Sequence, residues 1–274
     1  MISEHTKGIA KYYTRRHDQR RDLFGDQPFA NYGYWARPGM TMAQASEAMA
    51  SLVAAAAGLA PGDQVLDIGC GYGACAVVYA ERFAPDRIVG VDVTPTRIQS
   101  GREYINKCGF SEVIELQEGD ATKLEFDDGA FNKLLAVECA FHFDTRRDFF
   151  AEAARVLQPD GVMALTDLIP KRGVDTKTYL EEENTLAIDI DMYNRANAYD
   201  EDTYVGYLKE VGFTDIRVES MTEWTLARFV PALHQYADKQ TDEAFEKIHR
   251  HADKLQRIID LGEDYVLVVA RRQR

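Results

Sequence analysis

Asp67 stands two residues ahead of Gly69, and Gly71 and Gly73 follow at alternate positions. Glycine has no Cβ, so a backbone built this way can bend tightly and lie directly against a ligand. Carboxylates recur downstream at Asp92, Asp120, Glu138 and Asp167, with a single histidine, His142, among them. A side-chain-free cradle followed by acids that accept from hydroxyl or amino groups suits a small-molecule ligand. An imidazole in the same series can carry a proton near neutral pH, which is acid–base chemistry.

These groups need elements to position them. Residues 64–68 are apolar except for Gln64 and Asp67 and read as a short buried strand. Residues 74–83 are alanine-rich with helical spacing, so a helix starts at or just after the glycines. Strand, glycine turn and helix N-terminus make a nucleotide cradle at the carboxyl end of the first strand of an α/β sheet. The spacing Gly69-x-Gly71-x-x-Ala74 also fits the looser dinucleotide fingerprint. Asp67 tilts the choice, because a carboxylate there repels a pyrophosphate and suits a ligand that carries positive charge. Asp92 lies near the end of a second strand (87–93), about twenty residues past the glycine turn, where such folds place an acid on the ribose hydroxyls. A strand-end cap is the ordinary alternative for that residue.

Further strands are expected at 113–117, 132–137, 162–166, 215–220 and 264–270, and Asp167 ends the fifth. Helices are expected at 41–59 with Thr41 as N-cap, after Thr94-Pro95, at 145–157 and at 204–211, with a long helix or helix pair over 225–260. The fold class is α/β: a Rossmann-like, doubly wound, seven-stranded, mostly parallel sheet with an N-terminal helical arm and a helical cap. Its expected parts are an aromatic arm (1–40), a ligand-binding core (41–169), an acidic cap (170–203) and the remainder of the core with a long helical insertion (204–274). Strand 4 neighbours strand 1 in such a sheet, so the run Glu138-Cys139-Ala140-Phe141-His142-Phe143 faces the glycine loop across the switch point.

The 274 residues have ordinary globular composition, 46% hydrophobic and 28% charged, and contain no apolar run near the ~20 residues of a membrane span. A net charge of −13 argues against nucleic acid or an anionic membrane as partner and permits neutral or cationic small substrates. Residues 1–22 lack a signal-peptide core, and the four cysteines show no paired metal spacing, so a reducing cytoplasm is the expected setting. Cys70 and Cys139 read as small apolar fillers that can also line the ligand site. His249-x-His251 is wrongly spaced for one helical face, and with His234 it reads as surface, so no metal ligands are expected. A homo-oligomer is permitted.

Residues 65–73 closely resemble motif I of class I S-adenosylmethionine (SAM)-dependent methyltransferases, in which two hydrophobic residues precede Asp-x-Gly-x-Gly-x-Gly. The likeness extends over about residues 64–167, with Asp160 in place of one glycine of the usual turn before strand 5. It implies SAM as cofactor, held by Asp67, Gly69, Cys70, Gly71, Asp92 and Val93. The adenine would be met by Asp120 and the Ala121 backbone. Asn31-Tyr32-Gly33-Tyr34-Trp35 is similar to a stretch found in small-molecule methyltransferases acting on sugars and other natural products. Tyr34 would then cover the cofactor and Trp35 the acceptor, the alternative being an arm packed on the surface.

In antibiotic-sugar O-methyltransferases a His-rich motif follows strand 4 and an acid ends strand 5. That match makes His142 the general base and Asp167 the acid that orients it or binds the acceptor. Phe141 replaces one histidine of the usual pair. Glu138 either grips SAM or faces the acceptor, and Phe141, Phe143 and Tyr193 would line the acceptor side. O-methylation of a natural-product hydroxyl is the leading expectation. C-methylation of a terpenoid alkene and N-methylation of an amine remain open. A nicotinamide-dependent oxidoreductase would explain the glycines but not Asp67 or Asp120, and a non-catalytic SAM-binding protein would keep the cradle and yield no product.

Overall fold

Seven strands form one sheet in the order β3-β2-β1-β4-β5-β7-β6, parallel except for β7, which runs antiparallel to both β5 and β6. The computed structural model describes residues 2–15, 27–184 and 192–274. Chain order is α1 (Glu4–Arg15), α2 (Met42–Ala56), β1 (Gln64–Ile68), α3 (Ala74–Phe83), β2 (Arg87–Asp92), α4 (Pro95–Cys108), β3 (Ile114–Glu118) and β4 (Phe131–Val137). It continues with α5 (Arg146–Val156), β5 (Leu157–Pro170), α6 (Thr176–Glu183), α7 (Glu201–Glu210), β6 (Phe213–Ser220), α8 (Leu226–Ala237), α9 (Asp242–Leu261) and β7 (Glu263–Arg272). The connection from β3 to β4 carries no helix.

The central strands are buried on both faces, as a parallel sheet covered by helices requires. Two apolar layers result. One gathers α2, α3, α8 and α9 around Met49, Val53, Val78 and Leu233. The other gathers α5 and α7 around Phe149, Phe150, Tyr204 and Leu208. Thr41 caps α2 through a reciprocal box with Gln44, and Thr145 caps α5 in the same way with Asp148.

Two expectations change. Strand β5 does not end at Asp167 but runs on to Pro170, because β7 pairs with it residue by residue from Val162 to Pro170. Asp167 is therefore interior to a strand and fully buried. The 225–260 stretch is the helix pair of the two alternatives, and His234 and His249, read as surface, are half-buried and meet acidic neighbours. Their Nδ1 atoms lie 2.6 Å apart, His249 Nε2 is 3.1 Å from Asp238 and His234 Nε2 is 3.5 Å from Asp253. Facing ring nitrogens at that distance bind each other, joining α8 to α9. Of the cap, Leu186, Ile188 and Ile190 lie outside the described residues, as does Phe24 of the arm.

Candidate active site

One cleft opens at the carboxyl edge of β1, β2, β3 and β4, and most of the acids singled out in the sequence meet there. Its lining includes Asp67, Gly69, Cys70, Gly71, Asp92, Val93, Asp120, Ala121, Glu138, Cys139, His142 and Phe143. The glycine loop is pinned to β2: the Gly69 and Cys70 N–H groups donate to Val91 O at 2.8 and 3.1 Å, and Gly71 N–H donates to Asp92 Oδ2 at 3.0 Å. Gly69 has φ +65°, and a Cβ there would sit 2.5 Å from Cys139 Cβ, so only glycine lets β4's exit approach the loop.

Asp92 Oδ1 accepts from Thr94 N–H at 2.8 Å. Each of its oxygens thus takes one backbone donor and retains lone-pair capacity for a ligand hydroxyl. Asp120 is turned by accepting from Thr122 N–H and Oγ1 at 2.9 and 2.8 Å. Asp67 is 1% exposed, and its Oδ2 has no hydrogen-bond partner. Burial, reinforced by the neighbouring Asp92 charge, pushes its carboxyl up to about 8. A buried acid in this state calls for a cation. The Cys70 and Cys139 thiols are pushed up chiefly by burial, which leaves them inert fillers of the floor.

His142 is 7% exposed on the short turn after β4. Its Nδ1 lies 2.6 Å from Met192 O, and its Nε2 lies 2.8 Å from Tyr13 Oη. A carbonyl can only accept, so Nδ1 carries the proton and Nε2 presents its lone pair toward α1 and the cleft. Helix α1 covers the cleft with Thr6, Ile9 and Tyr13, and the Arg97 guanidinium lies 3.9 Å from the Tyr13 ring centroid.

Several expected residues lie elsewhere. Asp167 is not on His142: it pairs with Arg146 Nε at 2.8 Å and accepts from Tyr204 O–H at 3.1 Å and from its neighbour Leu168 N–H at 2.9 Å. The continuation of β5 turns it into the layer beneath α5 and α7. Tyr193 is fully buried beside that pair and donates to Leu168 O at 2.8 Å. Phe141 packs against His142, ring centroids 4.0 Å apart, and stacks on Tyr193, so of the two phenylalanines flanking His142 only Phe143 lines the cleft.

Tyr34 and Trp35 do not line it either. The Tyr34 ring packs toward Trp224, and Trp35 is buried with Nε1 donating to Tyr32 O at 2.9 Å. Gly33 at φ +80° swings the chain against α2 and carries those rings outward. From the arm, Pro28, Phe29, Ala30 and Asn31 reach the cleft instead. Glu138, itself in the left-handed region at φ 51°, spans both: its carboxylate accepts Tyr32 N–H at 2.8 and 3.0 Å and Tyr265 O–H at 2.7 Å.

Comparison with known proteins gives the family of the chain. The family model for the methyltransferase domain matches residues 66–165. Erythromycin 3''-O-methyltransferase of Saccharopolyspora erythraea is 34% identical over 226 residues, covering 80% of this chain and 72% of that protein. The 27-O-demethylrifamycin SV methyltransferase of Amycolatopsis mediterranei is 25% identical and covers 96% of each chain. The cyclopropane synthase MmaA2 of Mycobacterium tuberculosis shares the fold with TM-score 0.81 at 20% identity over 99% of both chains. The chain belongs to the SAM-dependent methyltransferases and is an enzyme that uses SAM.

The residues present fit that cofactor. The orphaned Asp67 oxygen suits its positive end, Asp92 suits ribose hydroxyls and the loop leaves its backbone bare. Asp67 gives this fit a pH dependence. An ammonium or sulfonium beside Asp67 favours the ionised carboxylate, so binding releases a proton wherever Asp67 is protonated beforehand. Affinity for S-adenosylhomocysteine, whose ammonium persists, is expected to rise with pH and level off above about 8. Below that the fall approaches tenfold per pH unit, so titration calorimetry at about pH 6 should show binding at least tenfold weaker than the plateau. A flat profile would remove Asp67 from the cation's surroundings.

Proposed function

We propose that this enzyme methylates a hydroxyl of a small natural product, with His142 as general base. The observation that carries the reading is the orientation of the imidazole. Met192 O holds the proton on Nδ1, and the unprotonated Nε2, which accepts from the Tyr13 hydroxyl, lies in the wall of the cofactor cleft. When bound, SAM supplies an electrophilic methyl that is displaced in line. A hydroxyl acceptor must lose its proton as it attacks, and a base with a pKa near neutral is suited to receive it. Nε2 is the nitrogen able to do so, and the Tyr13 hydroxyl lying 2.8 Å away marks where an acceptor hydroxyl can reach it.

The related enzymes support the acceptor class, since the two relatives described above are named for erythromycin and 27-O-demethylrifamycin SV and one is named an O-methyltransferase. The cover of the cleft by α1 and residues 28–31 would shield the reacting atoms from water. With SAM saturating at every pH, so that the Asp67 dependence of binding drops out, turnover of a hydroxyl acceptor should fall as pH drops. A pH–rate profile that keeps the same low-pH limb in His142→Gln would overturn the assignment.

Asp92 is proposed to hold the ribose while bracing the glycine loop. Asp92→Ala removes both, so binding of SAM should weaken by more than about tenfold, or 1.4 kcal/mol, in a calorimetric titration. Unchanged affinity would leave Asp92 as a loop brace only.

A further inference from the structure

His142 rides on a turn that cannot hold its shape alone. Ala140–His142 is a single 3₁₀ turn, a form with poorer hydrogen-bond geometry than an α-helix. Two backbone bonds close it from within: His142 N–H donates to Cys139 O and Phe143 N–H to Ala140 O, each at 3.1 Å. The carbonyls of Phe141 and Phe143, one on either side of the imidazole, face into the protein and take their donors from elsewhere. A carbonyl turned away from water costs free energy unless a donor meets it.

Those donors come from residues 192–197, about fifty positions further along the chain. Asn197 is fully buried, and its Nδ2 donates to Phe143 O at 2.9 Å and to Phe141 O at 3.2 Å. Its Oδ1 accepts from the N–H of Arg146, the first residue of α5, at 2.9 Å. Carbonyls only accept and a backbone N–H only donates, so the amide can face one way only, nitrogen to the turn and oxygen to the helix. Asn194 reinforces the grip, its N–H donating to Phe141 O and its Nδ2 to Phe143 O, each at 3.1 Å. The same segment supplies Met192 O, 2.6 Å from His142 Nδ1.

We propose that Asn197 is the positioning residue for His142: by gripping the carbonyls on both sides of the imidazole it keeps Nδ1 on Met192 O and so fixes the tautomer that leaves Nε2 unprotonated. This rests on the reading of His142 as general base. Asn197 does not line the cleft and acts through the turn. The ring and the carbonyl that orients it belong to segments far apart in sequence, and the Asn197 amide ties the two together. A misplacement of about an ångström is enough to forfeit the alignment of a reacting group. A neutral amide makes this tie without setting a charge beside the imidazole, which would move its pKa.

The test reads the tautomer directly. In the full chain carrying isotope-labelled histidine, at about pH 8 so that the imidazole is neutral, two-bond proton–nitrogen correlations distinguish Nδ1–H from Nε2–H, and His142→Gln identifies the signals. Wild type should hold His142 as Nδ1–H. Asn197→Leu, similar in size and without donors, should shift the tautomer ratio toward Nε2–H by about fivefold or more, as the loss of a hydrogen bond allows, with affinity for S-adenosylhomocysteine within about twofold of wild type. Asn197→Ser is too short to reach both carbonyls and should shift the ratio the same way, which keeps the test if the leucine variant does not fold. An unchanged tautomer in either folded variant would overturn the proposal, as would a wild-type ring protonated on Nε2. Full-rate turnover of a hydroxyl acceptor by His142→Ala would instead bring down the base assignment, and with it the task given to Asn197, whatever the tautomer.

Discussion

His142→Ala is expected to slow turnover of a hydroxyl acceptor by about 10²–10⁴-fold, the range a positioned general base contributes, while affinity for S-adenosylhomocysteine stays within about twofold. The split follows from where the imidazole lies. Its Nδ1 is tied to Met192 O and its backbone carbonyl accepts from His5 Nε2 at 2.9 Å, so the ring hangs between α1 and the segment after residue 191. The groups assigned to the cofactor sit on the other side, on β1, β2 and β3. Loss of the ring therefore removes the proton acceptor and spares the cradle. An undiminished rate would exclude His142 as base, and a parallel collapse of cofactor binding would make it a strut for α1.

Asp167→Ala is expected to act on stability and not on chemistry. Asp167 and Arg146 are both fully buried, with Arg146 Nη1 donating to Asn197 O at 2.7 Å and Nη2 to Leu168 O at 3.1 Å. Burial pushes the Asp167 carboxyl up and the Arg146 charge pulls against it, so each ion depends on the other. Removing one partner strands a buried charge, which costs about 3–5 kcal/mol in denaturant unfolding. Replacing both, as Arg146→Met with Asp167→Leu, should recover most of that loss, because a buried pair adds little over packed apolar groups of similar volume. Folded Asp167→Asn should turn over at close to the wild-type rate. A large fall in its rate without loss of stability would return Asp167 to the catalytic machinery.

The cradle was readable because its determinants are local. Asp67, Gly69, Gly71 and Asp92 follow from strand periodicity, a turn only glycine can make and a fixed distance along one βαβ unit, and the folded chain brings them to one cleft with Asp120. Asp167 was misplaced for a non-local reason. A strand that should stop at a carboxylate continues because β7 arrives from about a hundred residues later to pair with it. The arm misled through composition: the three rings of Tyr32, Tyr34 and Trp35 drew attention to the last two, whereas the residues delivered to the cleft, Pro28 to Asn31, come just ahead of them. Only Glu138 and Ser46, distant in sequence, show where Asn31 points. Tyr13 carried no signal either, since its contact with His142 bridges 129 positions.

The most direct test of the account follows the methyl carbon. Incubating the enzyme with methyl-labelled SAM and a panel of hydroxyl, amine and alkene natural products, then locating the label by NMR, reads the reaction itself. The account predicts label in a methyl ether, formed with one equivalent of S-adenosylhomocysteine and lost in His142→Ala. Label on carbon or nitrogen at a rate that does not depend on His142 would contradict it.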